Sequence, residues 1–214
     1  GSNPERTSVP TWRLVLLLAI LALTPIRGWA QQRNRLAIGV GIGRFLPLQP
    51  LATAEGSTTE YKLDDAGATS VNLDYWWRSW LGTRLAFQWV RTDLSEPEGA
   101  SFARLYTLYG ALLLAPVRLG REPPFIALGG GLRRYDVNAP VMDGSAAWDI
   151  APRQNRAAAY GGVGTGIRFG QIRILPEAGI LVSEFEHNFP CNNCPDQSNT
   201  QMDLLVSVQI VFGT

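Results

Sequence analysis

RLAIGVGIGRFL, residues 35–46, alternates without a lapse: Leu36, Ile38, Val40 and Ile42 share one parity, and Ala37, Gly39, Gly41 and Gly43 the other. Successive strand residues point to opposite faces. This strand therefore has one large apolar face and one almost bare of side chains. Glycine on a water-facing surface would waste strand propensity, whereas inside a narrow barrel it makes room for longer side chains opposite. The apolar face then meets lipid. The same two-sided pattern returns in Val71, Leu73, Tyr75 and Trp77 against Asn72, Asp74 and Trp76. It returns again in Leu85, Phe87 and Trp89 against Arg84, Ala86 and Gln88, and in Leu204, Val206, Val208, Ile210 and Phe212 against Asp203, Leu205, Ser207, Gln209 and Val211. Gly129, Gly131, Gly162, Gly164 and Gly166 repeat the bare face.

Eight such segments are read, at residues 35–46, 69–77, 81–92, 102–117, 124–137, 156–169, 171–185 and 202–212. Their connections alternate in length. Residues 47–68, 93–101, 138–155 and 186–201 are long and polar or irregular, while Arg78-Ser79-Trp80, residues 118–123 and Gly170 are tight. Short periplasmic turns alternating with longer outside loops belong to outer-membrane barrels. The reading is all-β: a closed antiparallel eight-stranded transmembrane up-and-down β-barrel, with both termini on the periplasmic side. The fourth segment, YTLYGALLLA at 106–115, is apolar on both faces and leaves its register open.

The first thirty residues read differently. Arg13 precedes an apolar run from Leu14 to Leu23, then Thr24-Pro25 and Gly28-Trp29-Ala30 before Gln31-Gln32. A positive flank, a short apolar centre and small residues describe a secretory signal peptide. A spanning helix needs about 20 apolar residues, more than this run supplies. Residues 1–30 are thus expected to be a cleaved leader with its extension, and residues 31–214 the outer-membrane barrel domain, in the bacterial outer membrane. With Lys+Arg 19 against Asp+Glu 18, the chain has no basic footprint for nucleic acid.

Aromatic residues fall near strand ends in two bands. Trp77, Trp80, Phe125, Phe169 and Phe212 lie on the short-turn side, and Phe45, Trp89, Phe102, Tyr135, Phe185 and Phe189 on the long-loop side. They are expected to form girdles at the headgroup levels. Inward polar residues include Asp74, Arg84, Gln88, Arg133, Arg168, Arg173, Glu177, Asp203 and Gln209. Eight strands enclose room for side chains but no aqueous channel, so buried charges must pair. The expected interior network joins Asp74 and Glu177 through some of Arg84, Arg168 and Arg173.

Other chemistry is sparse. His187 is the single histidine, with Ser183, Glu184 and Glu186 nearby, but a nucleophile needs its base on the same face within hydrogen-bond reach. Cys191-Asn192-Asn193-Cys194 lies between Pro190 and Pro195. In an oxidising compartment an even pair points to a disulfide; a zinc site would need two more ligands, with only His187 near. The glycine clusters feed more strand, where a dinucleotide fingerprint would feed a helix. Pro176 removes a ladder hydrogen bond and calls for a bulge or a strand start. No catalytic residue, metal or cofactor is assigned.

Taken together, AIGVGIG at 37–43, IALGGGL at 126–132, GGVGTGI at 161–167, LPEAG at 175–179 and VSVQIVF at 206–212 give a chain that resembles the transmembrane domain of outer membrane protein A. The resemblance covers about all of residues 31–214. It implies insertion by the barrel assembly machinery, which reads a last strand ending in an aromatic, here Phe212 with Gly213-Thr214 after it. Its expected partners are outer-membrane lipid, that machinery and an extracellular ligand held by the loops. The function expected is structural or surface-interacting, with residues 47–68 and 138–155 as the contact loops. Two other classes are weighed. One is a lipid A-modifying enzyme, since a lipid A deacylase resembling this fold uses a His/Ser/Glu set; the other is a small ligand-binding or transport barrel.

Overall fold

A computed structural model of the chain describes residues 35–53, 60–95, 102–116, 123–138, 153–169, 172–187 and 197–213. The expected leader, Cys191, Cys194 and Phe189 lie outside them. The strands are β1 (Arg35–Pro47), β2 (Ala52–Thr53), β3 (Glu60–Leu63), β4 (Ala66–Trp76), β5 (Leu81–Ser95), β6 (Phe102–Leu114), β7 (Phe125–Asn138), β8 (Arg153–Gly164), β9 (Ile167–Phe169), β10 (Ile172–His187) and β11 (Gln197–Gly213). Eight staves make the wall, because β9 prolongs β8 along β10, and β2 and β3 stand above β5. Each stave is antiparallel to the next, and β11 pairs back onto β1. The wall is closed.

The ladder register sets its shape. From Arg35 the pairing runs through Trp76, Gly82, Leu113, Ala127, Gly162, Gly179 and Leu205, and returns to β1 at Phe45, ten residues farther along. At ~3.3 Å per residue and ~4.8 Å between strands, that stagger tilts eight strands by about 40°. Wall strands as long as the 17 residues of β11 exceed the ~9–11 that cross a bilayer at such a tilt.

Two expectations of strand placement need correction. Residues 47–68, read as a loop, contribute β2, β3 and the start of β4. Its described part extends the sheet beside β5 at the loop end, where Leu63 pairs with Leu94 and both Leu51 and Leu63 are buried. These two leucines need an apolar cover, which the open end of the bore supplies. Pro176 sits neither at a bulge nor at a strand start but inside β10. In an antiparallel strand a residue's N–H and C=O face the same neighbour, and the Pro176 carbonyl accepts from the Thr165 N–H. The missing donor therefore faces the stave of β8 and β9, and the ladder lapses there, at Thr165-Gly166.

Alternation divides the wall as expected. Leu36, Ile38, Val40, Ile42, Val71, Leu85, Phe87, Leu128, Leu132, Val206 and Ile210 are exposed around the outside. A continuous apolar exterior of this extent is what a lipid-facing surface requires. The register of β6 is settled by its neighbours: Leu105, Thr107, Tyr109, Ala111 and Leu113 are buried, while Leu108 and Leu112 face out.

The bare face allows close approach between neighbouring strands. A Cβ on Gly131 would stand 2.0 Å from the Leu108 carbonyl oxygen and 2.5 Å from the Tyr109 Cα, both backbone atoms that cannot swing aside. Gly131→Ala should destabilise the barrel by about 1–3 kcal/mol, read as the shift in urea unfolding in phospholipid vesicles. Gly67, with nothing within 4 Å, gives the control, and Gly67→Ala should stay within about 0.5 kcal/mol.

Candidate functional site

Two polar clusters fill the bore. The first begins at Asp74 and Arg84, opposite one another in the β4–β5 ladder. Arg84 grips Asp74 with both oxygens engaged, Nε donating to Oδ1 at 2.7 Å and Nη2 to Oδ2 at 2.9 Å. Its Nη1 reaches across the bore to Glu177 Oε2 at 2.5 Å. The Tyr160 hydroxyl donates to Glu177 Oε1 at 2.5 Å, Gln209 Nε2 to Oε2 at 3.0 Å, and Asn72 Nδ2 to Asp74 Oδ1 at 3.0 Å. Tyr109 stacks on Tyr160 with centroids 4.5 Å apart, and the guanidinium lies over Phe125. One cation serves two buried carboxylates, and neutral donors add one hydrogen bond to Asp74 and two to Glu177. A paired charge keeps its place in a dry interior only on such terms.

The second cluster lies nearer the loop end. Arg133 Nη1 pairs with Asp203 and also donates to Ser183 Oγ at 3.4 Å. Gln201 donates to Asp203 at 2.6 Å, and the Tyr135 and Ser183 hydroxyls share a hydrogen bond of 2.7 Å. The Arg133 guanidinium lies between the rings of Tyr135 and Phe45, 4.8 Å and 5.6 Å from their centroids. Phe185 meets Tyr135 edge-on at 5.0 Å. Around this stack Leu51, Leu63, Leu105 and Leu181 are buried. The bore is thus stoppered by an apolar cluster built around one cation.

Of the residues expected in the ionic network, Asp74, Arg84 and Glu177 meet, and Arg84 is their bridge. Arg168 and Arg173 oppose one another in the β9–β10 ladder, Arg168 exposed and Arg173 half-buried. Arg133 and Asp203, recognised as inward but given no pairing, form the second bridge. The expected loop-side girdle is corrected. Phe45, Tyr135 and Phe185 are within 1% of complete burial inside the bore, and Phe125 is buried at the other end. Their parity explains it, since Phe45 follows Gly39, Gly41 and Gly43 on the inward face. Trp77, Trp89, Phe169 and Phe212 do face outward.

Ser183, weighed beside His187, is taken up in the bore. Ser183 is buried and engaged with Tyr135 and Arg133, and Glu184 and Glu186 are exposed on the outward parity of β10. Positions 183 and 187 are about 13 Å apart along the strand, beyond hydrogen-bond reach. Among the described residues no group of three or more His, Cys, Asp or Glu could hold a metal ion. Among the described residues one cavity in the bore, of about 20 Å³, is bordered by Asn72, Gln88, Tyr109, Glu177 and Gln209, room for a single water.

Solved structures share this architecture. The chain is 9% identical to neisserial surface protein A, with a TM-score of 0.52, covering 84% of this chain and 96% of that one. Against the outer membrane protein OprG from Pseudomonas aeruginosa the identity is 11% and the TM-score 0.53, covering 86% and 98%. Against the outer membrane protein AlkL the values are 12% and 0.50, covering 89% and 94%. The fold is that of the small outer-membrane β-barrels. Neither a protein-family model nor a curated protein matches the chain. The barrel's apolar exterior and its fold together put it in the bacterial outer membrane, crossing with strands.

Proposed function

We propose that this barrel is a non-enzymatic integral outer-membrane scaffold whose bore is sealed and whose loop end meets its surroundings. The observation that carries this reading is the filled interior: Asp74–Arg84–Glu177 at one level and Arg133–Asp203, wedged between Phe45 and Tyr135, at the next. Solute crossing the bore would have to separate buried ion pairs at both levels. The loop end carries what is left to vary, above a rigid wall. On this reading the loops face outward and hold any extracellular ligand, and β11, ending near Phe212, is the strand read by the assembly machinery.

Reconstituted into planar bilayers, the barrel should give no current above the lipid background. Discrete single-channel openings at moderate voltage would overturn the sealed bore. Lipid A extracted from cells with and without the barrel should carry the same acyl chains, and a missing chain would establish an enzyme instead.

A further inference from the structure

Four arginines on the outside of the barrel stand just above the apolar belt on adjacent strands. Pairing across β5, β6 and β7 aligns Phe87, Leu108 and Leu132 in one outward row and Trp89, Tyr106 and Arg134 in the next. The row above aligns Arg91, Arg104 and Asp136, and continues onto β8 at Arg153. Each row is two residues, roughly 6–7 Å along the strand, from the last. Arg91, Arg104, Arg134 and Arg153 are all exposed. Asp136 pairs with Arg153 at 3.6 Å. Arg91, Arg104 and Arg134 form no ion pair among the described residues.

Two of these charges share one aromatic ring. The Arg91 and Arg104 guanidiniums lie over the one ring of Phe102, 5.0 Å and 5.2 Å from its centroid. An anion above them could be met by both guanidiniums. Cations at this height lie mainly on β5 to β8, with Arg44 exposed on β1 and the acids Asp93 and Asp136 beside them. At the Trp89 level the neighbouring β4 carries Thr69, and β10 exposes Glu184 and Glu186. Lys62 is the single lysine in a chain of 19 basic residues, so these sites use the planar fork that fits phosphate oxygens in pairs.

We propose that the Arg91–Arg104–Arg134 face binds the phosphorylated headgroup of a membrane lipid in the loop-side leaflet. The height of the rows selects this occupant. Phosphates sit where acyl chains give way to headgroups, and here guanidiniums begin one row above Phe87, Leu108 and Leu132, with Trp89 and Tyr106 at the boundary as interfacial aromatics do. Acyl chains of the same lipid would lie down the apolar rows beneath. A soluble anion would gain nothing from those rows. The inference rests on the transmembrane reading, and the unheated compact gel band of the folded barrel reports that reading separately.

The test is native mass spectrometry of the purified barrel in neutral detergent. It is titrated with diphosphoryl lipid A, with phosphatidylglycerol, with phosphatidylcholine and with soluble polyphosphate. The intact barrel should retain the anionic lipids in preference to phosphatidylcholine, and polyphosphate should not displace them. Each arginine near an anionic surface adds roughly fivefold in affinity. Combined R91Q, R104Q and R134Q should therefore weaken retention on the order of a hundredfold while the compact band persists. E184Q, on the other side, should change nothing. Equal retention by the intact barrel and the triple variant would overturn the proposal. So would polyphosphate binding in place of lipid.

Discussion

Arg84→Ala should lower the unfolding free energy of the barrel by about 3–5 kcal/mol, the largest loss expected from any single change in the bore. Truncation leaves Asp74 and Glu177, 1% and 4% exposed, facing one another without the cation that both bind. The cost comes from stranded charge rather than lost volume. Arg84→Met combined with Asp74→Asn and Glu177→Gln removes every charge at once, and should recover most of the loss, since an apolar or neutral replacement of a buried ionic group is often nearly neutral. Urea unfolding in vesicles measures both. If the combined variant were as unstable as the single one, pairing would not be what Arg84 supplies.

Leu108→Arg should cost about 2–4 kcal/mol, the penalty for a cation at the middle of a lipid-facing barrel wall. Leu108 is midway along β6, 49% exposed, and flanked across the strands by Phe87 and Leu132. An equally exposed leucine on a water-soluble barrel would tolerate the change within about 0.5 kcal/mol. The same side chain is native at Arg104, two outward positions along the strand. Position relative to the bilayer therefore decides the sign. A shift in the urea midpoint below about 0.5 kcal/mol would place this face in water and remove the basis for a transmembrane reading.

Much of this could be read from alternation. The parity that set Gly39 and Gly41 against Ile38 and Val40 also placed Asp74, Arg84, Arg133, Glu177, Asp203 and Gln209 inside, because one face of a strand is fixed once a single residue on it is assigned. Partner choice could not be read that way. Arg84 and Asp74 meet because the β4–β5 register sets them opposite, and Glu177 comes from a strand on the far side of the bore. Parity also carried a signal that went unused. Phe45, Tyr135 and Phe185 share the inward face with Gly43, Arg133 and Ser183, yet their nearness to strand ends suggested a girdle. Leu51 and Leu63 gave less to go on, since two isolated leucines in a polar stretch do not announce that it extends the sheet at the loop end. The arginine rows were invisible for a related reason. Arg91, Arg104 and Arg134 are scattered in sequence and become neighbours only through two registers.

The stagger that returns the ladder from Arg35 to Phe45 has a kinetic consequence. All the wall ladders but one join staves that follow one another along the chain, so each forms as a local hairpin. The remaining ladder joins β1 to β11 and brings Ala37 against Gly213, which closes nearly the whole described chain into a ring. Closing so long a loop costs entropy before its contacts return anything. Until it zips, both strands present a full edge of unpaired amides, and in hydrocarbon each such group costs several kcal/mol. Seven ladders without the eighth are therefore not a resting place. Insertion and closure are bound into one cooperative event, and the glycine-rich β1 is the strand on which it finishes.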